Sequence, residues 1–219
     1  MKLLSILVSI AGLFALLFLP AGTLAWPAGW WFYLFMLAAL AVATLVVVRA
    51  NPGIFETRSG FKPGTKGWDL VLVALLAAAL VAVPVVAGLD FRWGWSDMPL
   101  PLLLLGYPLL LAAIALLSWA QAENRFFELG VRIQGDRGHY VVDSGPYARV
   151  RHPGYIASVL LAAGGALALA SWWALLPAVL VAVILAYRTL REEETLSAEL
   201  SGYTHYRRRV RYRWIPGLW

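Results

Sequence analysis

Residues 139–155 gather imidazole, phenol, guanidinium and turn-forming groups in one short run: His139-Tyr140-Val141-Val142, Gly145-Pro146-Tyr147 and Arg151-His152-Pro153-Gly154-Tyr155. An apolar segment begins directly after it. Pro153 suits the first turn of that helix, where its missing N–H is not needed. The free amides of the same turn, at the positive end of the helix dipole, form a site for an anion. A second set closes the following apolar segment: Arg188-Thr189-Leu190-Arg191-Glu192-Glu193-Glu194. Arg188 and Glu192 stand four apart, on one helical face. As an exposed pair they contribute about 0.3–0.5 kcal/mol, and arginine before glutamate is the weaker order. As charges at a bilayer rim they point to function, with snorkelling of Arg188 as the other reading. Glu193 and Glu194 are expected in solvent or opposite the arginines at 207–213. His152 reads as a helix-cap residue or a ligand group, His139 as a loop or a site residue, and His205 as exposed. No histidine–carboxylate spacing of a metal site occurs, the chain has no cysteine, and no Gly-x-Gly-x-x-Gly follows a strand. Thiolate chemistry, a metal centre and the common dinucleotide loop are thereby set aside.

The elements that must position these groups are membrane helices. Hydrophobic residues make up 61% of the 219 and charged residues 14%, against about 45–50% and about 25% in ordinary soluble domains. Six apolar runs stand at about 3–22, 28–48, 69–89, 99–121, 154–171 and 173–191. About 18–20 such residues cross roughly 30 Å of hydrocarbon. The expected fold is therefore an all-α integral membrane protein of about six transmembrane helices. It forms a single membrane domain over residues 1–219, with four N-terminal transmembrane helices in 1–121.

The connecting segments alternate in charge. Lys2 falls on one side, as do Arg49, Arg58, Lys62 and Lys66, then Arg125, Arg132, Arg137, Arg149 and Arg151, then Arg188, Arg191 and the arginines of 207–213. Of the 18 basic residues only Arg92 is left opposite. The positive-inside rule places both termini and the 139–155 run in the cytoplasm. This placement accounts for the net charge of +6 without nucleic acid. Arg207, Arg208, Arg209, Arg211 and Arg213 are expected against anionic lipid headgroups. Trp26, Trp30, Trp31, Trp93, Trp95, Trp172 and Trp173 would mark the outer interface, and Trp68 and Trp214 the inner one.

Lys2, its apolar run and the small residues of 21–25 resemble a signal peptide, but the length of the run favours a retained first helix. Pro52, Gly53, Gly60, Pro63, Gly64 and Gly67 make the 49–68 loop turn repeatedly. The fourth span is expected to continue as helix through 123–129, since no breaker precedes Gly130. Gly164-Gly165 invites the close approach of a neighbouring helix. Ser171-Trp172-Trp173 leaves room only for a tight turn. The last two spans then form a hairpin, which brings His152 and Glu192 to the same rim.

Several of these residues together resemble the isoprenylcysteine carboxyl methyltransferase family. They are Gln134, His139 to Val142, Gly145-Pro146-Tyr147, Arg151 to Tyr155, Arg188-Thr189 and Glu192-Glu193-x-x-Leu196, with Tyr203 and Tyr206 before Arg209-Val210. The likeness is detailed over 120–213, and the stretch from Asn51-Pro52 to Lys66-Gly67-Trp68-Asp69 is similar to that of bacterial members. The resemblance implies S-adenosyl-L-methionine in a cytoplasmic-face pocket built by the final helix hairpin and its flanks. It implies a methyltransferase cofactor-binding region over 122–219 and a place in a bacterial inner membrane. Carried over position by position, it gives Gln134, His139, Tyr140, Val141, Val142, Tyr147, His152, Pro153, Gly154, Tyr155 and Glu192 to the cofactor. Arg188 would face an acceptor carboxylate and, with Glu192, form the catalytic pair. The loop between Gln134 and His139 is shorter than in eukaryotic members, and Pro146 stands where they have another residue.

Methyl transfer suits such parts. Attack of an anion on a sulfonium disperses charge, so a dry pocket favours the transition state. Alignment of acceptor, methyl carbon and sulfur alone supplies several kcal/mol, up to about 7–11. A carboxylate acceptor needs no general base. The expected acceptor is a lipid-like or amphipathic small molecule, an isoprenylcysteine-type carboxylate among them, that arrives laterally between helices. Phospholipid amine N-methyltransferases have similar topology, and a small thiol is a further acceptor class. Sterol-type reductases using NADPH carry a related Arg-His-Pro-x-Tyr run, and Arg211-Tyr212-Arg213-Trp214-Ile215-Pro216 resembles theirs. Those chains are longer and differ where this one has Glu192-Glu193. A non-enzymatic membrane scaffold predicts polar groups scattered around both rims, not gathered at one hairpin mouth.

Overall fold

The computed structural model describes the backbone of residues 2–219 and the side chains from Leu7 onward; the Lys2 side chain lies outside the described residues. Six helices form the bundle: α1 (Lys2–Ala21), α2 (Pro27–Ala50), α4 (Gly67–Trp93), α5 (Leu100–Glu123), α6 (Pro153–Ala168) and α7 (Leu175–Glu199). Two short ones, α3 (Ile54–Thr57) and α8 (Tyr203–Arg209), flank one end. No strand occurs among the described residues. The helix positions agree with the apolar runs. By length and composition α2, α4 and α5 are able to cross a membrane, while Leu7–Ala21 and α6 are shorter apolar helices. The 16 residues of α6 reach about 24 Å at about 1.5 Å per residue. In α7 the last two turns are charged.

Leu45, Val46, Leu104 and Val183 are exposed on the bundle. Helices apolar on all sides are those of a lipid environment, where no polar face is needed. Small residues set the tightest crossing. A Cβ on Gly106 of α5 would lie 2.4 Å from the Ala168 amide nitrogen of α6, and one on Gly164 would lie 3.0 Å from the Gly106 carbonyl. Gly164 thus does what its sequence suggests. Its neighbour Gly165 faces Phe32 and Val83 at 3.7 Å and is not squeezed.

The α6–α7 turn is tight, with Ala170 at φ 58. It is tied to α4 by the Ser171 hydroxyl, which donates to the buried Asp90 carboxylate. Trp93, Trp95 and Trp173 cluster there, with ring centroids 5.0 and 6.2 Å apart. Trp26 departs from the belt pattern: it is 2% exposed and stacks on Phe91 at 5.2 Å. Its indole fills the gap between α1 and α4.

The opposite end differs from expectation in one element. Helix α5 stops at Glu123 and does not continue through 123–129. Asn124 ends it: its amide nitrogen still donates to Ala120, but its side-chain oxygen accepts the Phe126 N–H at 2.9 Å. Such an Asx turn offers the backbone an alternative to helix. Asn51, at the end of α2, donates to the Gln121 carbonyl at 2.9 Å and so satisfies one orphan acceptor of α5. Residues 124–152 then run as an irregular strap. It passes so close to the 49–66 loop that a Cβ on Gly130 would lie 2.5 Å from Thr65.

Candidate active site

The start of α4, the end of α5, the start of α6 and the end of α7 meet at this end, beneath the strap. They enclose a cavity of about 390 Å³. Its wall includes every one of Gln134, His139, Tyr140, Val141, Val142, Tyr147, His152, Pro153, Gly154, Tyr155, Arg188 and Glu192. The hairpin does bring His152 and Glu192 together, with His152 Nδ1 3.7 Å from Glu192 Oε2. The same Glu192 oxygen accepts the Tyr155 hydroxyl, and the Tyr155 ring stacks on His152 at 5.2 Å. His152 is the N-cap of α6, with no side-chain capping bond. Its ring bridges to carboxylates instead of serving as a cap.

Arg188 and Glu192 do not pair with each other. Arg188 forks onto Asp69 of α4, with Nε to Oδ1 at 2.7 Å and Nη2 to Oδ2 at 2.9 Å, and Nη2 also reaches the Leu129 carbonyl at 2.9 Å. Asp69 is fully buried and accepts the Val131 N–H at 2.6 Å. One ion pair therefore joins α4, α7 and the strap. Arg188 is 7% exposed, which removes the snorkelling reading.

Glu193 meets the second of its two expected settings: it is not in solvent but balances Arg213 of the 207–213 group. It is 2% exposed and receives Arg151 Nε at 2.5 Å, His152 Nε2 at 3.3 Å and Arg213 Nε at 2.9 Å. The reason is geometric: successive helical residues are about 100° apart, so Glu192 faces the cavity while Glu193 faces the C-terminal segment. Arg213, expected on lipid headgroups, turns inward to Glu193 for the same reason, whereas Arg207, Arg208, Arg209 and Arg211 are exposed. Glu194 is in solvent as expected. Arg151 also donates to the Val210 and Arg211 carbonyls at 2.6 and 2.7 Å. His152 N–H donates to the Arg213 carbonyl at 3.0 Å. The C-terminal segment is thus clamped against the start of α6.

The strap carries the aromatic wall. Phe126 lies 4.5 Å from the His139 ring and 5.0 Å from Tyr140, centroid to centroid. Gln134 is buried and spends its side chain on the strap, donating to the Phe126 carbonyl at 2.7 Å and accepting from Arg137 at 2.7 Å. His139 Nδ1 accepts the Gln134 N–H at 3.3 Å. Burial lowers the pKa of this imidazole below its ordinary value, which keeps it a neutral acceptor. Burial likewise pushes the phenols of Tyr147, Tyr203 and Tyr206 above the usual range. Tyr206 donates to the Tyr147 carbonyl at 2.8 Å. The Tyr203 hydroxyl, on the cavity wall, is buried without a partner among the described residues.

Asp69, Arg58, Arg151 and Glu193 were not among the predicted site residues. For Asp69 the signal was an acid in the first turn of an apolar helix, at the same rim as Arg188; a charge there requires a partner. No group of three or more histidines and carboxylates that could hold a metal ion occurs among the described residues.

No curated protein matches the chain. A family model matches residues 102–198, the stretch that supplies α5, the strap, α6 and nearly all of α7 and contains all twelve predicted site residues. Asp69 and Arg58 lie outside it. Residues 102–198 are therefore similar to the isoprenylcysteine carboxyl methyltransferase family, the description that the matching model carries.

Proposed function

We propose that the protein is an S-adenosyl-L-methionine-dependent methyltransferase acting on a carboxylate of a lipid-like acceptor from the cytoplasmic side of a bacterial inner membrane. The observation that carries the reading is the convergence of the motif residues on one cavity at the mouth of the α6–α7 hairpin. Its volume falls in the range of small-ligand sites, about 300–1,000 Å³. The donor set fits the cofactor. Glu192 has no arginine or lysine partner among the described residues and is available to an ammonium or to ribose hydroxyls. The free amide of Gly154, in the first turn of α6, suits a carboxylate. Phe126, His139 and Tyr140 offer ring faces for a base, and the orphaned Tyr203 hydroxyl offers a further polar contact.

When bound, S-adenosyl-L-methionine supplies a methyl group from its sulfonium and leaves as a neutral thioether, so a carboxylate becomes a methyl ester with no proton to remove. The protein's part is then placement and dryness. Tyr155 fixes the Glu192 carboxylate by its hydroxyl, His152 stacks behind it, and the strap closes the cavity through Arg188, Asp69 and the Val131 amide. Arg188, placed opposite an acceptor carboxylate by the family resemblance, keeps Nη1 without a hydrogen-bond partner among the described residues, while Nε and Nη2 hold the wall.

Calorimetric titration of the detergent-purified protein with S-adenosylhomocysteine and, separately, NADPH tests this. Micromolar binding of the former, weakened at least tenfold by Glu192→Ala, is expected. Binding of NADPH alone would replace the transferase by a reductase, and binding of neither would leave a scaffold.

A further inference from the structure

Four arginines line the cavity: Arg58, Arg132, Arg151 and Arg188. Three are matched to carboxylates: Arg132 to Glu128 at 2.7 Å, Arg151 to Glu193 at 2.5 Å and Arg188 to Asp69 at 2.7 Å. Arg58, directly after α3, has no ion pair and no side-chain hydrogen bond among the described residues. Its guanidinium lies over the Phe127 ring at 5.1 Å. Burial, and then the nearby Arg188 charge, hold its pKa below the usual arginine range. A part-buried cation without an anion in a membrane protein is costly unless a ligand supplies one.

Arg58 also lies where two cavities meet. The second, about 240 Å³, shares Arg58, Leu117 and Leu161 with the first. One side is a stripe of α2, Leu40, Ala43, Thr44 and Val47, at helical spacing; the other is α5, from Ala113 to Gln121, with Ala157 of α6. Leu40, Thr44 and Phe55 on its rim are exposed, so the groove is open to the apolar surroundings of the bundle. Its lining is mainly apolar, with Thr44, Ser118 and Gln121 as neutral polar groups, and among the described residues its one charged group, Arg58, stands at the junction with the site.

Resting on the methyltransferase reading, we propose that Arg58 selects the acceptor: it receives the carboxylate of a single-chain amphiphile whose apolar tail occupies the groove between α2 and α5. The head then passes from Arg58 into the first cavity towards Arg188, while amines are repelled by the unmatched Arg58. The cation that chooses the acceptor thus lies outside the family-matched stretch, on a loop in the N-terminal half.

The test uses the full chain in lipid nanodiscs. Tritiated palmitate is bound directly, with hexadecanol and hexadecylamine as competitors. Expected for the wild type are displacement by unlabelled palmitate and at least tenfold weaker competition by the alcohol and the amine. Arg58→Gln should weaken palmitate at least tenfold and erase the preference over hexadecanol, and Arg58→Lys should restore part of it. Ala43→Phe, which fills the groove from its rim, should weaken palmitate and hexadecanol alike. An unchanged palmitate affinity in Arg58→Gln, or in Ala43→Phe should the former not fold, overturns the proposal. So does wild-type preference for the amine. S-adenosylhomocysteine binding by the wild type reports separately on the methyltransferase reading, so the two failures are distinguishable.

Discussion

Removing the Asp69 carboxylate should be strongly destabilising. Asp69→Ala leaves the Arg188 guanidinium, 7% exposed, without its counter-ion. It also orphans the Val131 N–H now held at 2.6 Å. Breaking one side of a buried pair costs about 3–5 kcal/mol, and an unsatisfied buried amide about 1–3 more. Even the lower sum, about 4 kcal/mol, shifts the folded-to-unfolded ratio close to a thousandfold, at about 1.4 kcal/mol per decade. Replacing both partners removes the stranded charge, so Asp69→Ala/Arg188→Met should be at least about 2 kcal/mol less destabilised than the sum of the single changes. The assay is a double-mutant cycle by reversible denaturation in mixed micelles. S-adenosylhomocysteine affinity gives a second readout, because the strap is anchored through Val131 and Leu129. Additivity of the two substitutions within about 0.5 kcal/mol would refute the reasoning, since it would mean that the two side chains do not share a bond.

Three further outcomes follow from particular contacts. Gly106→Ala places a methyl group 2.4 Å from the Ala168 nitrogen and should cost about 1–3 kcal/mol by forcing α5 and α6 apart. Gly165→Ala, with 3.7 Å of room, should leave the thermal midpoint nearly unchanged, and equal effects would contradict the packing. The lowered pKa of His139 means that the unfolded chain binds the proton first as pH falls. Stability is therefore complete above the ordinary histidine value of 6.5 and is lost as pH drops from there through the folded value. Unfolding followed between pH 7.5 and 5 should show this slope in the wild type and a shallower one in His139→Gln. Tyr155→Phe removes the hydroxyl that holds Glu192 and should weaken S-adenosylhomocysteine severalfold in calorimetry, with less effect than Glu192→Ala.

What the sequence determined by itself is whatever depends on neighbours along the chain. Apolar runs of membrane length locate six helices, because hydropathy and rise per residue are local properties. Pro153 marks the start of α6, and the short Ser171-Trp172-Trp173 link requires a hairpin. That hairpin was enough to put His152 and Glu192 at one rim, and the family resemblance implied that His139 and Tyr155 join them on one cavity. The end of α5 was not legible, because an asparagine side chain competes with the helix there and no glycine or proline announces it.

The tertiary structure alone decided which charge meets which. Arg188 finds Asp69 across 119 residues and passes over Glu192 one turn away. Glu193, not Glu192, takes Arg151 and Arg213, and His152 lies between the two glutamates. Arg58 is left without an anion among the described residues, at the junction of two cavities. These pairings depend on which face of each helix is turned inward. A rotation of about 100° per residue makes adjacent glutamates opposite in role, and only the packing of α4, α7 and the strap sets that rotation.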